Sequence, residues 1–191
     1  MNMEIKPALP PQPHLKWMLG TIGRTIAFGF GSGLSPKAPG TVGTIWAWAT
    51  FLVGNYFLST DNWLWVIGVG ILLGSWVCGK VSEELGKPDF GGIVWDEILA
   101  FWLILIVIMP AGVWLQAVAF ALFRFFDVIK PGPIGVIDRH FKKCDQYNNS
   151  NPSNKQKILW RGFGIIADDL AAALCTLFVI ALGQILFNQF Q

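Results

Sequence analysis

Charge is what this sequence has least of. Asp, Glu, Lys and Arg make up 14% of its 191 residues, against about a quarter in an ordinary soluble domain. Histidine occurs twice, as His14 and His140, neither in a ligand spacing, which excludes chemistry built on paired imidazoles. Cys78, Cys144 and Cys175 are an odd number with no C-x-x-C pair, so neither a disulfide framework nor a zinc site is indicated. The glycine-rich stretch lacks the G-K-[ST] ending of a P-loop, and no strand precedes it to make a dinucleotide fingerprint. A formal charge of +2 without interleaved basic and aromatic residues excludes a nucleic-acid partner. The opening MNMEIKPALPPQP is polar and Pro-rich where a signal peptide has its apolar core. Insertion into a membrane would then fall to the first apolar run.

Long apolar runs are what the sequence does have. Residues 41–59, 63–81, 98–123 and 164–187 carry most of the 53% hydrophobic content. A membrane-spanning helix needs about 20 mainly apolar residues; the first, second and fourth runs each fit one span. The third is interrupted at Met109-Pro110-Ala111-Gly112, which predicts two short helices meeting at a turn, each half reaching only about 20 Å. The expected fold is all-α: a multi-helical polytopic membrane protein with about four to five hydrophobic helices. Its alternative is a soluble helical domain, for which 191 residues offer too little interior. Threaded as two hairpins and a last span, the chain puts all fourteen Lys and Arg on one side. Basic loops stay cytoplasmic, so that side is the cytoplasm, and its basic face suits anionic headgroups. Residues 1–27 are expected to form an arm, 1–13, and an amphipathic interfacial helix, His14–Ala27, anchored by Trp17, with one membrane-embedded domain over 28–191.

Chemistry-bearing residues gather on the basic side. Phe28–Thr44, FGFGSGLSPKAPGTVGT, reads equally well as a connector or as a phosphate cradle made of Ser32, Gly33, Lys37, Thr41 and the amides around Gly31–Gly33. Asp96 and Glu97 stand at the head of the third run, where the bland reading is a helix cap and first-turn acid. Arg124 and Asp127 are three apart and can share a helix face. Pro131 then ends that helix, and Pro131–Pro133 turn the chain so that Lys130 and Asp138 come back towards it. Residues 140–160 are polar and read as a flexible cytoplasmic loop. Asp168 and Asp169 lie about a turn inside the last apolar run, where an unpaired carboxylate costs several kcal/mol. An all-oxygen set without His or Cys suits Mg²⁺.

With GSGLSPKAPGTVGT, the Asp96-Glu97 pair, LFRFFDVIKPGPI followed by Asp138, and GIIADDLAA all in order, the sequence resembles the phosphatidylglycerophosphatase A family of bacterial membrane lipid phosphatases. Ala100, Ala172 and Gly132 depart from residues usual in that family. The resemblance implies a mostly helical enzyme of the bacterial inner (cytoplasmic) membrane. It would need Mg²⁺ and hydrolyse phosphatidylglycerophosphate to phosphatidylglycerol in phospholipid biosynthesis. Carried over by position, Asp96, Glu97, Asp127, Asp168 and Asp169 hold the metal. Lys130 carries over as the phosphate partner, so Asp127, Asp168, Asp169 and Lys130 are the expected catalytic residues; the reading of the residues themselves adds Arg124, Ser32, Gly33, Lys37, Thr41 and Asp138 as the expected substrate contacts. One carboxylate would act either as base towards water or as nucleophile; the sequence leaves both open. The non-enzymatic alternative is a transporter or lipid-binding scaffold, which would place its charges near the bilayer midplane.

Overall fold

A computed structural model describes residues 12–87, 90–132, 134–137, 139–141 and 155–189. Seven α-helices carry the argument: α1 (Leu15–Met18), α2 (Ile22–Ala27), α3 (Pro39–Gly54), α4 (Thr60–Glu84), α5 (Trp95–Ile108), α6 (Val113–Ile129) and α7 (Lys155–Gln189). A 3-10 turn, Gly29–Leu34, lies between α2 and α3. No strand occurs among the described residues, so the fold is all-helical. Two helices, Thr60–Glu84 and Gln156–Gln189, are long and apolar enough to cross a membrane.

The third apolar run divides as its Pro-Gly interruption implies. α5 ends at Ile108, Met109-Pro110 is a cis peptide, and α6 starts at Val113. Gln116 closes the turn from inside, donating from Nε2 to the Ala111 carbonyl at 2.8 Å and accepting from Trp48 Nε1 at 2.7 Å. At 14 and 17 residues the two helices rise about 21 and 26 Å, so each is shorter than a 30 Å hydrocarbon core.

Helix α5 is the buried centre. Ile98, Leu99, Ala100, Phe101, Ile104 and Leu105 are wholly inaccessible, as a helix apolar on all sides must be if its neighbours surround it. Aromatic rings fill the space around it: Phe51 stacks on Trp63 at 4.8 Å between centroids, and Trp63 meets Trp102 at 5.2 Å. The outer helices turn large apolar side chains outward instead, including Trp65, Leu72, Trp114, Leu174 and Phe178.

Glycines set the spacing between helices. A Cβ on Gly162 of α7 would run into the Ser75 carbonyl of α4, and one on Gly79 into the Ile158 carbonyl. The two backbones are therefore in contact, the close approach that small residues permit in helix pairs. Higher on α4, Gly70 and Gly74 receive Leu99 and the Trp95 ring, and Trp95 Nε1 donates to the Gly70 carbonyl at 3.1 Å. These contacts fix the level at which α7 meets α5.

Three local expectations change. The segment from His14 to Ala27 is not one amphipathic helix, because it breaks at Gly20-Thr21 into α1 and α2. Trp17 does not project as an anchor: it packs edge-on against Phe28 and lies under the Arg24 guanidinium at 4.4 Å, while Arg24 Nε donates to Glu84 Oε2 at 2.8 Å. The polar stretch 140–160 is not all loop; α7 begins at Lys155, and the Lys-Gln-Lys opening continues straight into the apolar part.

Candidate active site

Asp96 and Glu97 occupy the first turn of α5, where the helix dipole favours negative charge. The turn is held by Val94, whose amide donates to the Ala27 carbonyl at 2.9 Å. Asp168 and Asp169 lie thirteen and fourteen residues into α7, fully inside a helix that starts at Lys155. Both are buried, at 6% and 3% exposure, and Asp96 is 8% exposed. One carboxylate oxygen from each of Asp96, Glu97 and Asp169 falls within 4.8 Å of the others. Among the described residues this is the group able to hold a metal ion. Asp96 Oδ1, Glu97 Oε2 and Asp169 Oδ2 are buried without a hydrogen-bond partner.

The end of α6 supplies the counter-charges. Arg124 and Asp127 share a face: Nη1 lies 2.6 Å from Asp127 Oδ2 and 3.6 Å from Glu97 Oε1. Asp127 in turn stands beside Asp169. The helix stops at Ile129, and Lys130 takes a left-handed conformation, φ 48° and ψ 54°. That strained backbone, unusual for a residue with a side chain, turns the ammonium into a direct ion pair with Asp168. Five carboxylates from α5, α6 and α7 thus meet two cations from the end of α6.

The start of α3 closes the cluster from another side. Pro39 and Gly40 are its first residues, and Ala38 before them is left-handed with φ 47° and provides no side-chain cap. A Cβ on Gly40 would collide with Glu97 Oε1 and reach Arg124 Nη2 at 3.0 Å. Only a glycine lets the helix end come this close to the Glu97–Arg124 pair. Sequence reasoning missed this role of Gly40. Its signal was Pro39-Gly40 ahead of an apolar run, since Pro suits a helix start and has no amide hydrogen to satisfy.

The glycine-rich turn behaves as a strut. The amides of Gly31 and Gly33 both donate to the Phe28 carbonyl at 3.0 Å, and Ser32 Oγ donates to the Gly29 carbonyl at 2.8 Å. A Cβ on Gly33 would enter the Gly92 carbonyl, so the turn is pressed against the segment leading into α5. The amides expected to cradle a phosphate are already engaged, and Ser32 and Gly33 shape the loop. Lys37 is exposed and Thr41 half-buried in the first turn of α3. Asp138 lies outside the described residues. The structure therefore brings together Asp96, Glu97, Arg124, Asp127, Lys130, Asp168 and Asp169, with Gly40 and Thr41 at the adjoining helix end.

Comparison with known proteins identifies the family. The family model for phosphatidylglycerophosphatase A matches residues 25–146. A Haemophilus influenzae protein named phosphatidylglycerophosphatase A is 35% identical over 81% of this chain and 84% of its own length. An Escherichia coli protein of the same name is 34% identical over 78% and 76%. A Bacteroides thetaiotaomicron relative, 30% identical over 83% and 91%, is provisionally named a phosphatidylinositol-3-phosphatase. No solved structure matches. On the family match and the extent of these identities, the chain belongs to the phosphatidylglycerophosphatase A family of hydrolases.

Proposed function

We propose that the protein hydrolyses the terminal phosphomonoester of phosphatidylglycerophosphate, giving phosphatidylglycerol and phosphate, at the cytoplasmic face of a membrane that its helices cross several times. The observation that carries this is the convergence of three buried, unpartnered carboxylate oxygens, from Asp96, Glu97 and Asp169. Five acids face two cations, and ionising buried carboxylates without compensation costs several kcal/mol per ion. A divalent cation offsets it. Hard oxygen ligands without His or Cys fit Mg²⁺, which takes a few carboxylates and keeps room for water and phosphate. When bound, Mg²⁺ would supply charge neutralisation of the phosphoryl group and acidify water.

The chain's own groups do the rest. Lys130, with a quarter of its side chain accessible, and Arg124 hold the phosphoryl oxygens, and the free amides of Gly40 and Thr41 add the positive end of α3. Asp127, oriented by Arg124 and set against Asp169, takes a proton from the attacking water. The water oxygen bonds to phosphorus, the bond from phosphorus to the glycerol oxygen breaks, and that oxygen takes its proton from solvent. Asp168 holds Lys130 in place.

Membrane placement rests on the same geometry. The site lies at the start of α3 and α5 and the end of α6, so all three run away from it in one direction. From Asp169 to Gln189, α7 rises about 30 Å, one hydrocarbon thickness. The exposed Trp, Leu and Phe side chains of α3, α4, α6 and α7 form a larger apolar surface than a soluble monomer tolerates. The test is phosphate release by purified protein from phosphatidylglycerophosphate, with phosphatidylinositol-3-phosphate alongside because of the Bacteroides relative. Mg²⁺-dependent release from the first lipid, abolished by EDTA and by Asp169→Ala, supports the reading. Preferential release from the inositol lipid reassigns the substrate, and release from neither rejects the reaction.

A further inference from the structure

Helix α6 carries Asp127 near its C-terminal end, and α7 carries Asp169 near its middle. Between them opens an apolar groove of about 610 Å³ lined by Leu115, Val118 and Leu122 of α6 and Val179, Ile180 and Gly183 of α7. That volume lies within the range of small-ligand sites, about 300–1,000 Å³. Gln184 and Asn188 stand at its far end, and Val118 and Val179 are open to the outside, so a chain could enter from the side.

We infer that this groove receives one acyl chain of the lipid substrate while its phosphate end occupies the acidic cluster; the inference rests on the reaction proposed above. Continuity selects this occupant. Leu122 is five residues from Asp127 along α6 and Val179 ten from Asp169 along α7, so the groove begins about 8–15 Å from the carboxylates. A glycerol–phosphate–glycerol headgroup bridges a gap of that order. The lining then extends to Leu115 and Phe187, about 18–27 Å from the same carboxylates, within reach of an acyl tail crossing one leaflet of a 30 Å core. Among the described residues no charged side chain lines the groove, as burial of a hydrocarbon chain requires.

Gly183 offers the direct test. A Cβ built there meets nothing within 4 Å, so Gly183→Trp fills the groove without forcing the helices apart. Gly68, on the outer face of α4, is equally open, and Gly68→Trp is its control. Each variant is assayed on dipalmitoyl phosphatidylglycerophosphate and on the deacylated headgroup, glycerophosphoglycerophosphate. Gly183→Trp should lower kcat/KM for the dipalmitoyl lipid by about tenfold, the equivalent of losing burial of two methylenes, and leave the headgroup substrate at the wild-type value. Val179→Trp, from the same wall, should reproduce the split, and Gly68→Trp should change neither substrate. Unchanged turnover of the dipalmitoyl lipid in both groove variants overturns the inference, as does an equal loss on both substrates. Wild-type protein that releases phosphate from neither substrate fails the reaction itself, a different result from failure of the groove.

Discussion

Replacing Gly40 by alanine is a small change that should separate the site from the fold. The added Cβ would enter the space of Glu97 Oε1 and sit 3.0 and 3.1 Å from the two terminal nitrogens of Arg124. Overpacking usually costs about 1–3 kcal/mol, but here the obstructing atoms are ends of flexible side chains, so the lower figure applies. Against it stands a gain of up to about 1 kcal/mol from replacing glycine in a helix. Net stability should therefore change little. Activity should not be spared, because the atoms that must move belong to the acidic cluster and its counter-charge, and a misplacement of about 1 Å can cost 10²-fold. The expected result is phosphate release from phosphatidylglycerophosphate micelles about 10²-fold slower than wild type, with a thermal midpoint within a few degrees of it. Gly162→Ala is the contrast: its Cβ meets the Ser75 carbonyl and lies 2.7 Å from the Gly79 amide nitrogen, backbone that cannot swing away. That variant should lose about 3 kcal/mol and unfold earlier. A Gly40→Ala protein with wild-type turnover would refute the placement of α3 against the site.

Removing the cation should be visible without turnover. With Mg²⁺ at a hundred times its Kd, binding stabilises the fold by about 2.7 kcal/mol, so EDTA should lower the thermal midpoint by about 5–10 °C in a chain of this size. Asp96→Asn should abolish that EDTA shift; an equal shift in the variant removes Asp96 from the metal site. Lys130→Met removes the ammonium paired with Asp168 and should reduce kcat by at least about 10²-fold, the loss typical of one charge-stabilising donor. Retention of kcat would exclude Lys130 from phosphate contact. Ala38→Gly relieves a left-handed residue with φ 47° on the exposed approach to α3 and should stabilise by about 0.5–1 kcal/mol, read as a higher thermal midpoint. A lower midpoint would contradict the strain assigned there.

Much of the site could be read from sequence because its parts are local and chemically conspicuous. Acids directly against apolar runs, as at Asp96-Glu97 and Asp168-Asp169, stand out whatever the fold, and Arg124 with Asp127 is a helix-spacing argument that needs no tertiary knowledge. The break at Met109–Gly112 was legible for the same reason, since a Pro-Gly interruption acts on its own neighbours. What escaped were the long-range relations. Nothing at Phe28–Leu34 says that its amides are used internally, because a converging glycine turn looks the same whether it holds a phosphate or its own Phe28 carbonyl. The start of α7 differs as well: Lys155-Gln156-Lys157 are polar, yet Lys and Gln both favour helix.

The glycines connect these two kinds of information. Gly79 and Gly162 allow α4 and α7 to touch, and Gly74 takes the Trp95 ring, one residue before Asp96. Since α7 is a single helix of 35 residues, fixing it at Gly162 also fixes Asp169 two turns on, at the level of Asp96 and Glu97. On the opposite side Gly40 brings α3 to the same carboxylates. A carboxylate cluster of this density repels itself, so it holds together only if the surrounding helices are pinned by contacts that do not depend on charge. Backbone contacts at glycine do that, because steric packing is indifferent to protonation and to metal. The cluster can then be preorganised before any cation arrives, which lets binding energy go to the phosphoryl group instead of assembling the site.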